Sequence, residues 1–376
     1  MTRSASIRVR AVLTASLCIV IFGAVGAAQT LPGPSPFRTD LSKRSIDLGE
    51  LLSGGPPKDG IPAINQPRFD SVAQAAAWID DREPVLVFEH GGEARVYPLQ
   101  ILIWHEMAND VVGDLPVLAS YCPLCQSAIV FDRRVNDQVL DFGVSGLLRH
   151  SDMIMFDRRT ESLWQQLTGE AVVGELTGKN LRILPSRQVD FGSVRKYLHG
   201  AKVLNRETGV RRDYGKSPYA GYEDGNRTIF PVPYKKRGAL RKLDRLATIR
   251  VGDKARAYPL KRLGSSRVEA GEIAGTPYIV FFDPAAASAL DRSDISGSKR
   301  VGSVGVFSPL LDGQALSFKR DKNKIMDEQT GSAWNIFGEA VEGPLQGKRL
   351  TAIDHGVFYA FAWLAFHPDT EIVGSR

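Results

Sequence analysis

Hydrophobic and polar residues alternate along much of this chain with the two-residue period of β-strands, and glycine-containing turns cut the runs apart. The stretch "VLVFEHGGEARVYP" (85–98) sets two alternating segments either side of Gly91 and Gly92 and predicts a β-hairpin. "LATIRVGDKARAYP" (246–259) predicts a second hairpin of the same build. In "LQILIWHEMANDVVGD" (99–114) the apolar spacing changes and predicts a short amphipathic helix. That helix would put His105 and Asn109 on one face, with Glu106 about a third of a turn away. The apolar run "PVLASY" (116–121) predicts a strand whose end carries "YCPLCQS" (121–127), and so Cys122 and Cys125.

The pattern repeats. "ARVYPL" (94–99) returns as "ARAYPL" (255–260), and the same offset of 161 sets "PVLASYCPLCQSA" opposite "PYIVFFDPAAASA". Pro116 matches Pro277, Pro123 matches Pro284, and Ser127 matches Ser288. Further on, Trp164 falls opposite Trp334 and Glu170 opposite Glu339 after a one-residue gap. A period this long implies duplication of a domain rather than a solenoid. The expected fold is α+β and strand-rich, with two homologous tandem domains at 61–208 and 241–376. A polar linker at 209–240 joins them, and an extension at 29–60 precedes them.

The repeat also acts as an internal control. Cys122 becomes Asp283, Cys125 becomes Ala286, and "IWHEMAND" becomes "GSSRVEAG", so His105, Glu106 and Asn109 disappear together. The scaffold persists while two thiols, an imidazole and a carboxylate are lost, which marks those groups as parts of one site.

Residues 1–28 read as a signal peptide: Arg3, Arg8 and Arg10 precede the uncharged run "AVLTASLCIVIFGAVGAA". Cleavage after Ala28 would remove Cys18 and lower the formal charge from +6 to +3, so the basic balance gives no support to a nucleic-acid partner. No other segment is long and apolar enough for a membrane span. The expected location is periplasmic or extracellular. In such an oxidising compartment a structural disulfide usually joins distant segments, whereas Cys122–Cys125 would close almost no loop.

Several chemistries fit a lone C-x-x-C pair. A zinc ribbon needs a second such pair, and covalent haem needs histidine after the second cysteine, where Gln126 stands. A thioredoxin site needs a βαβ frame that the pattern does not supply. One reading is thiol redox chemistry: Cys122 attacks, Cys125 resolves, and His105 or Glu106 moves protons, with exposed backbone N–H groups lowering the thiol pKa. Its partner would be an unidentified protein or small-molecule redox partner. The other is a metal module in which Cys122, Cys125 and His105 hold a soft ion such as Cu or Zn. The sequence leaves the cofactor open between none and such an ion. Asn109, Ser127, Ser145, Asp152 and Trp164 are candidate supports, His150 is a candidate for proton transfer, and Asp157 is expected to shape the turn "DRRTES". An inert disulfide bracing a turn stays open beside both readings.

The segments "GIPAINQPRFDS", "WHEMAND", "YCPLCQSA", "FGVSGLLRHSDMIMFDRRTESLWQQLTGEAV" and "YGKSPYAGY" together resemble the exported bacterial and archaeal family catalogued as domain of unknown function 3179. The resemblance implies that the cysteine pair is the family's hallmark. Some relatives are described as selenoproteins, and selenium at a position matching Cys122 or Cys125 would argue against an inert brace. Arg149 and His150 depart from the family pattern, which has tyrosine and asparagine there, and this weakens any family-wide role for His150.

Overall fold

The computed structural model describes residues 30–33 and 36–374, so the signal segment read at 1–28 lies outside the described residues. Those residues form a strand-rich α+β fold whose five α-helices run to at most seven residues. Both hairpins form. Pro84–His90 pairs antiparallel with Glu93–Pro98, and Gly91 and Gly92 supply the positive φ values (58° and 77°) that a tight two-residue turn requires. Arg245–Val251 pairs with Lys254–Pro259 in the same way.

Three sheets of four or five strands and a two-stranded ribbon, Arg134–Val135 with Gln138–Val139, build the first half among the described residues. The first hairpin is flanked by Ser186–Asp190 on one side and by Lys202–Leu204 on the other. A second sheet, in the order Arg182–Leu184, Ser127–Asp132, Leu115–Cys122, Met107–Val112, carries the cysteine motif at one strand end. In the third, Phe142–Arg149 and Asp152–Asp157 form a hairpin, extended by Leu163–Gln165 and Ala171–Val173. In the second half the run strand, strand, helix, strand, strand recurs at 245–251, 254–259, 260–266, 268–273 and 276–283. Each of these begins and ends 161 positions after an element of the first half.

The helix read across 99–114 is shorter than its apolar pattern implies. It spans Leu99–His105 and stops because Glu106 turns left-handed (φ 59°), its N–H closing on the Leu102 carbonyl at 2.7 Å. The chain then becomes the strand Met107–Val112, paired with Leu115–Cys122 across the Gly113 turn. Strand pairing thus takes residues whose apolar spacing also suits a helix, and His105 and Asn109 share no helix face.

The core is not divided at the middle of the chain. Val85, Val87, Val189 and Phe191 belong to one buried cluster with Ile279, Phe281, Phe307 and Trp334. Ile129 and Leu184 share another with Leu243, Phe358 and Trp363. Apolar burial at about 25 cal/mol per Å² therefore links the halves, while each half also keeps a cluster of its own, around Ile154 and Phe156 in the first and Ile249 and Val280 in the second.

Two matching turns hold the third sheet of each half. Asp157, fully buried, accepts hydrogen bonds from Thr160 N–H at 2.7 Å and Trp164 Nε1–H at 3.0 Å; Asp327 does the same for Thr330 and Trp334. Asp157→Ala leaves the buried indole N–H unpaired, and a loss of about 3 kcal/mol is expected. A urea titration that gives a loss of less than about 1 kcal/mol, at unchanged slope, would show that the turn does not depend on this carboxylate.

Candidate functional site

The strand Leu115–Cys122 delivers Cys122, and a single 3-10 turn, Pro123–Cys125, lifts Cys125 beside it. Pro123 presets the turn, Gln126 closes it in the left-handed conformation (φ 56°), and Ser127 pairs back with Cys122 in the next strand. Both cysteines are free thiols, 2% and 0% exposed. A second tight turn meets this one. His150 and Ser151 (φ 54° and 67°) join the third-sheet hairpin, place the Ser151 carbonyl 3.3 Å from the Cys125 sulfur, and set Asp152 against the pair. The sulfurs and an Asp152 carboxylate oxygen all lie within 4.8 Å of one another.

Asp152 is fully buried and held on one side: Gln165 Nε2 (2.5 Å) and Leu167 N–H (3.0 Å) both donate to Oδ2. Oδ1 has no hydrogen-bond partner among the described residues. Glu106, at the left-handed position after the helix, interacts electrostatically with Asp152 and Cys122.

Burial dominates the electrostatics of all four groups. It pushes both thiols above their usual range, and the nearby Asp152 carboxylate adds to this. The contact between the sulfurs favours charge on Cys122, so Cys122 is the more acidic thiol. Burial raises Asp152 to about 6, against the hydrogen bonds from Leu167 and Gln165, and raises Glu106 to about 8, with the Asp152 charge adding. The expected lowering of a thiol pKa by backbone N–H groups is therefore reversed. The turn is one 3-10 turn with proline at its start, too short to offset the desolvation of a buried thiolate.

The other candidates lie elsewhere. Both ring nitrogens of His105 are engaged, Nδ1 with the Pro62 carbonyl at 2.7 Å and Nε2 with the Tyr214 hydroxyl at 2.6 Å. Asp152, not His105, is the third group that the fold brings to the sulfurs. Asn109 clamps the Phe142 backbone, accepting its N–H at 3.0 Å and donating to its carbonyl at 2.9 Å. Ser127 donates to Gln166 Oε1 at 2.7 Å, Ser145 donates to the Ile154 carbonyl within a β-bulge, and Trp164 packs edge-on to Phe142. His150 lies 3.3 Å from the Glu50 carboxylate.

Sequence reasoning missed the cover. The segment read as a linker packs over the motif: the Tyr222 hydroxyl donates to the Leu124 carbonyl at 3.0 Å, and the Trp104 indole donates to the Lys216 carbonyl at 3.1 Å. Burial, then Glu106 and Cys122, raise the Tyr219 phenol; burial, then the two cysteines, raise that of Tyr222. The next residue anchors this cover. Glu223 forms an ion pair with the buried Arg245 at 2.6 Å and accepts the Tyr359 hydroxyl at 2.7 Å. Burial alone would raise Glu223, but Arg245, Tyr359 and Lys299 hold it at about 2. The tyrosine spacing in "SPYAGYEDG" was the available signal, masked by a polar, glycine-rich composition.

The chain matches the family described as "Protein of unknown function (DUF3179)" over residues 58–370, and it belongs to that family. The match takes in the motif, Asp152 and the tyrosine cover. No curated protein and no solved structure matches the chain.

Two outcomes follow from this arrangement. Glu223→Ala strands Arg245 in the interior and should cost about 3–5 kcal/mol. It should also raise the rate at which a disulfide reagent labels the thiols; labelling as slow as in the unaltered protein would mean that the cover is held by other contacts. The second concerns pH. In the metal-free fold Glu106 keeps its proton from pH 4.5 up to about 8, and Asp152 from 3.8 up to about 6, where the unfolded carboxyls have lost theirs. The native state binds more protons there, so stability is fullest below these windows and falls as pH rises through them. Chelator-treated protein should melt lower at about pH 8.5 than at about pH 5, with a flatter slope for Glu106→Gln. A melting point that climbs over that range in the chelated protein contradicts the assignment.

Proposed function

We propose that Cys122, Cys125 and Asp152 bind a divalent ion of the zinc type, on the first of two related units of which the second has lost the site. One observation carries this reading: three buried ligand atoms of metal-binding type lie within 4.8 Å of one another. Their surroundings support it. Burial raises the thiols and carboxyls that meet here, the Asp152 charge adding to this for Glu106 and both thiols, and a bound cation would reverse that logic by favouring every ionised form at once. Two soft sulfurs with a hard carboxylate suit zinc better than Cu(I). These three residues would hold the ion, which would lower the pKa of a bound water, and Glu106, whose charge interacts with those of Cys122 and Asp152, would serve as a proton acceptor. The two-unit reading draws on the elements recurring at a constant spacing and on the paired turns of Asp157 and Asp327. The apolar leader supports export.

A second reading rests on the same free dithiol. Cys122, the more acidic thiol, attacks a disulfide of an unidentified partner, Cys125 displaces the product thiol, and the pair ends oxidised while the partner ends reduced. Glu106 is better placed than His105 to handle protons in that cycle.

Elemental analysis of protein purified without added metal separates the two. About one zinc per chain is expected, lost in Cys122→Ser and Cys125→Ser, weakened roughly a hundredfold in Asp152→Asn, and retained in His105→Gln. A metal-free protein that zinc does not stabilise, and whose cysteines equilibrate with a thiol buffer near about −200 mV, would replace the metal reading with the redox one.

A further inference from the structure

A cavity of about 340 Å³ opens between the helix Phe191–Tyr197 and the second-half sheet formed by Phe318–Asp321, Lys324–Asp327, Ala333–Trp334 and Ala340–Glu342. Its charge is one-sided. Lys196, Arg267, Arg320 and Lys322 line it and form no ion pair among the described residues, with Arg320 donating to the Lys322 and Ser265 carbonyls. A fifth cation, Lys324, is matched by Glu342 at the rim. Asp283 is the remaining acid, and part of its capacity is taken by the Ala285 N–H at 2.8 Å. On the wall, Asn335 is 4% exposed; its Oδ1 accepts from Phe337 and Glu339 N–H, and its Nδ2 has no hydrogen-bond partner among the described residues.

These residues are the counterparts of the thiol site under the two-unit reading, on which the comparison rests. At the offset of 161, Arg267 takes the place of Glu106 and Asp283 that of Cys122. Counted from the paired Asp157 and Asp327 turns, Lys322 takes the place of Asp152 and Asn335 that of Gln165. Arg267 even shares the left-handed backbone of Glu106, at φ 66° against 59°. In the first half the Gln165 amide donates to the Asp152 carboxylate. In the second that carboxylate is gone, cations replace the acids around it, and the amide donor stays unpaired.

We infer that this cavity binds a small organic anion through its carboxylate. Arg267 and Lys322 neutralise the charge, and the Asn335 amide takes the part that Gln165 plays toward Asp152. The volume suits a ligand of a few carbon atoms, at the lower end of the usual range for small-molecule sites.

Calorimetry on the full exported chain at low salt tests this, with succinate, its neutral diamide and inorganic phosphate as probes. Succinate should bind, the diamide should not, and Arg267→Gln and Lys322→Gln should each weaken succinate roughly tenfold. Lys322 is exposed on a hairpin tip, so its replacement leaves folding intact and keeps the test decisive if Arg267→Gln misfolds. Cys122→Ser should bind succinate as the unaltered chain does, which keeps this result separate from that of the metal analysis. The inference is overturned if succinate gives no heat, if the diamide binds equally, if Lys322→Gln keeps full affinity, or if phosphate binds while succinate does not.

Discussion

Glu223 and Arg245 meet inside the protein, and much of the thiol site depends on that contact. Arg245 opens the first strand of the second half, and Glu223 follows directly on the tyrosine that covers the cysteine turn. A buried pair of this kind adds little net stability over an apolar pair, because desolvation offsets most of the attraction. What it fixes is position. Tyr222 and Leu240 of the connecting segment join the buried cluster that contains Leu124, with Tyr219 packed against it, and the ion pair fixes where they settle. The pair converts a polar, glycine-rich stretch into a wall of the site and ties both halves to one geometry. The two shared cores act in the same direction, since each joins apolar residues of both halves.

Within that enclosure, low polarity decides the chemistry. A thiol intended for open nucleophilic attack is normally set near a cation or a helix start. Here the nearest titrating groups are carboxyls and burial acts on all of them, so at rest the cluster favours protons. That is a poor setting for a free thiolate and a good one for a cation that displaces several protons at once. The cavity of the second half is the electrostatic opposite, with guanidinium and ammonium groups where the first has acids.

The local parts of this fold were legible in the sequence. Gly91 and Gly92 allow only a tight turn, and "PVLASY" ahead of the motif reads directly as a strand. The constant offset sets Cys122 against Asp283 from sequence alone. What did not read through was tertiary. Nothing in "HEMAND" announces that Glu106 turns left-handed, because glycine is the usual residue there, so the helix pattern ran on past its end. Asp152 stood out only as one of several polar residues near a turn; its place at the sulfurs depends on two hairpin tips meeting. The thiol pKa values were misjudged for the same reason. Burial belongs to the folded chain, while the motif shows only its own few residues.

The left-handed residues Glu106 and Arg267 have one more implication. Each holds a β-carbon in a conformation that disfavours it by roughly 1–2 kcal/mol, and glycine at either place would relax the backbone. A selection for thermal stability alone would therefore accept glycine there and delete the charged group in the same step. Robustness and chemistry are coupled at these two positions with opposite sign, so a laboratory-hardened variant of this protein would be expected to lose its titratable side chains at 106 and 267.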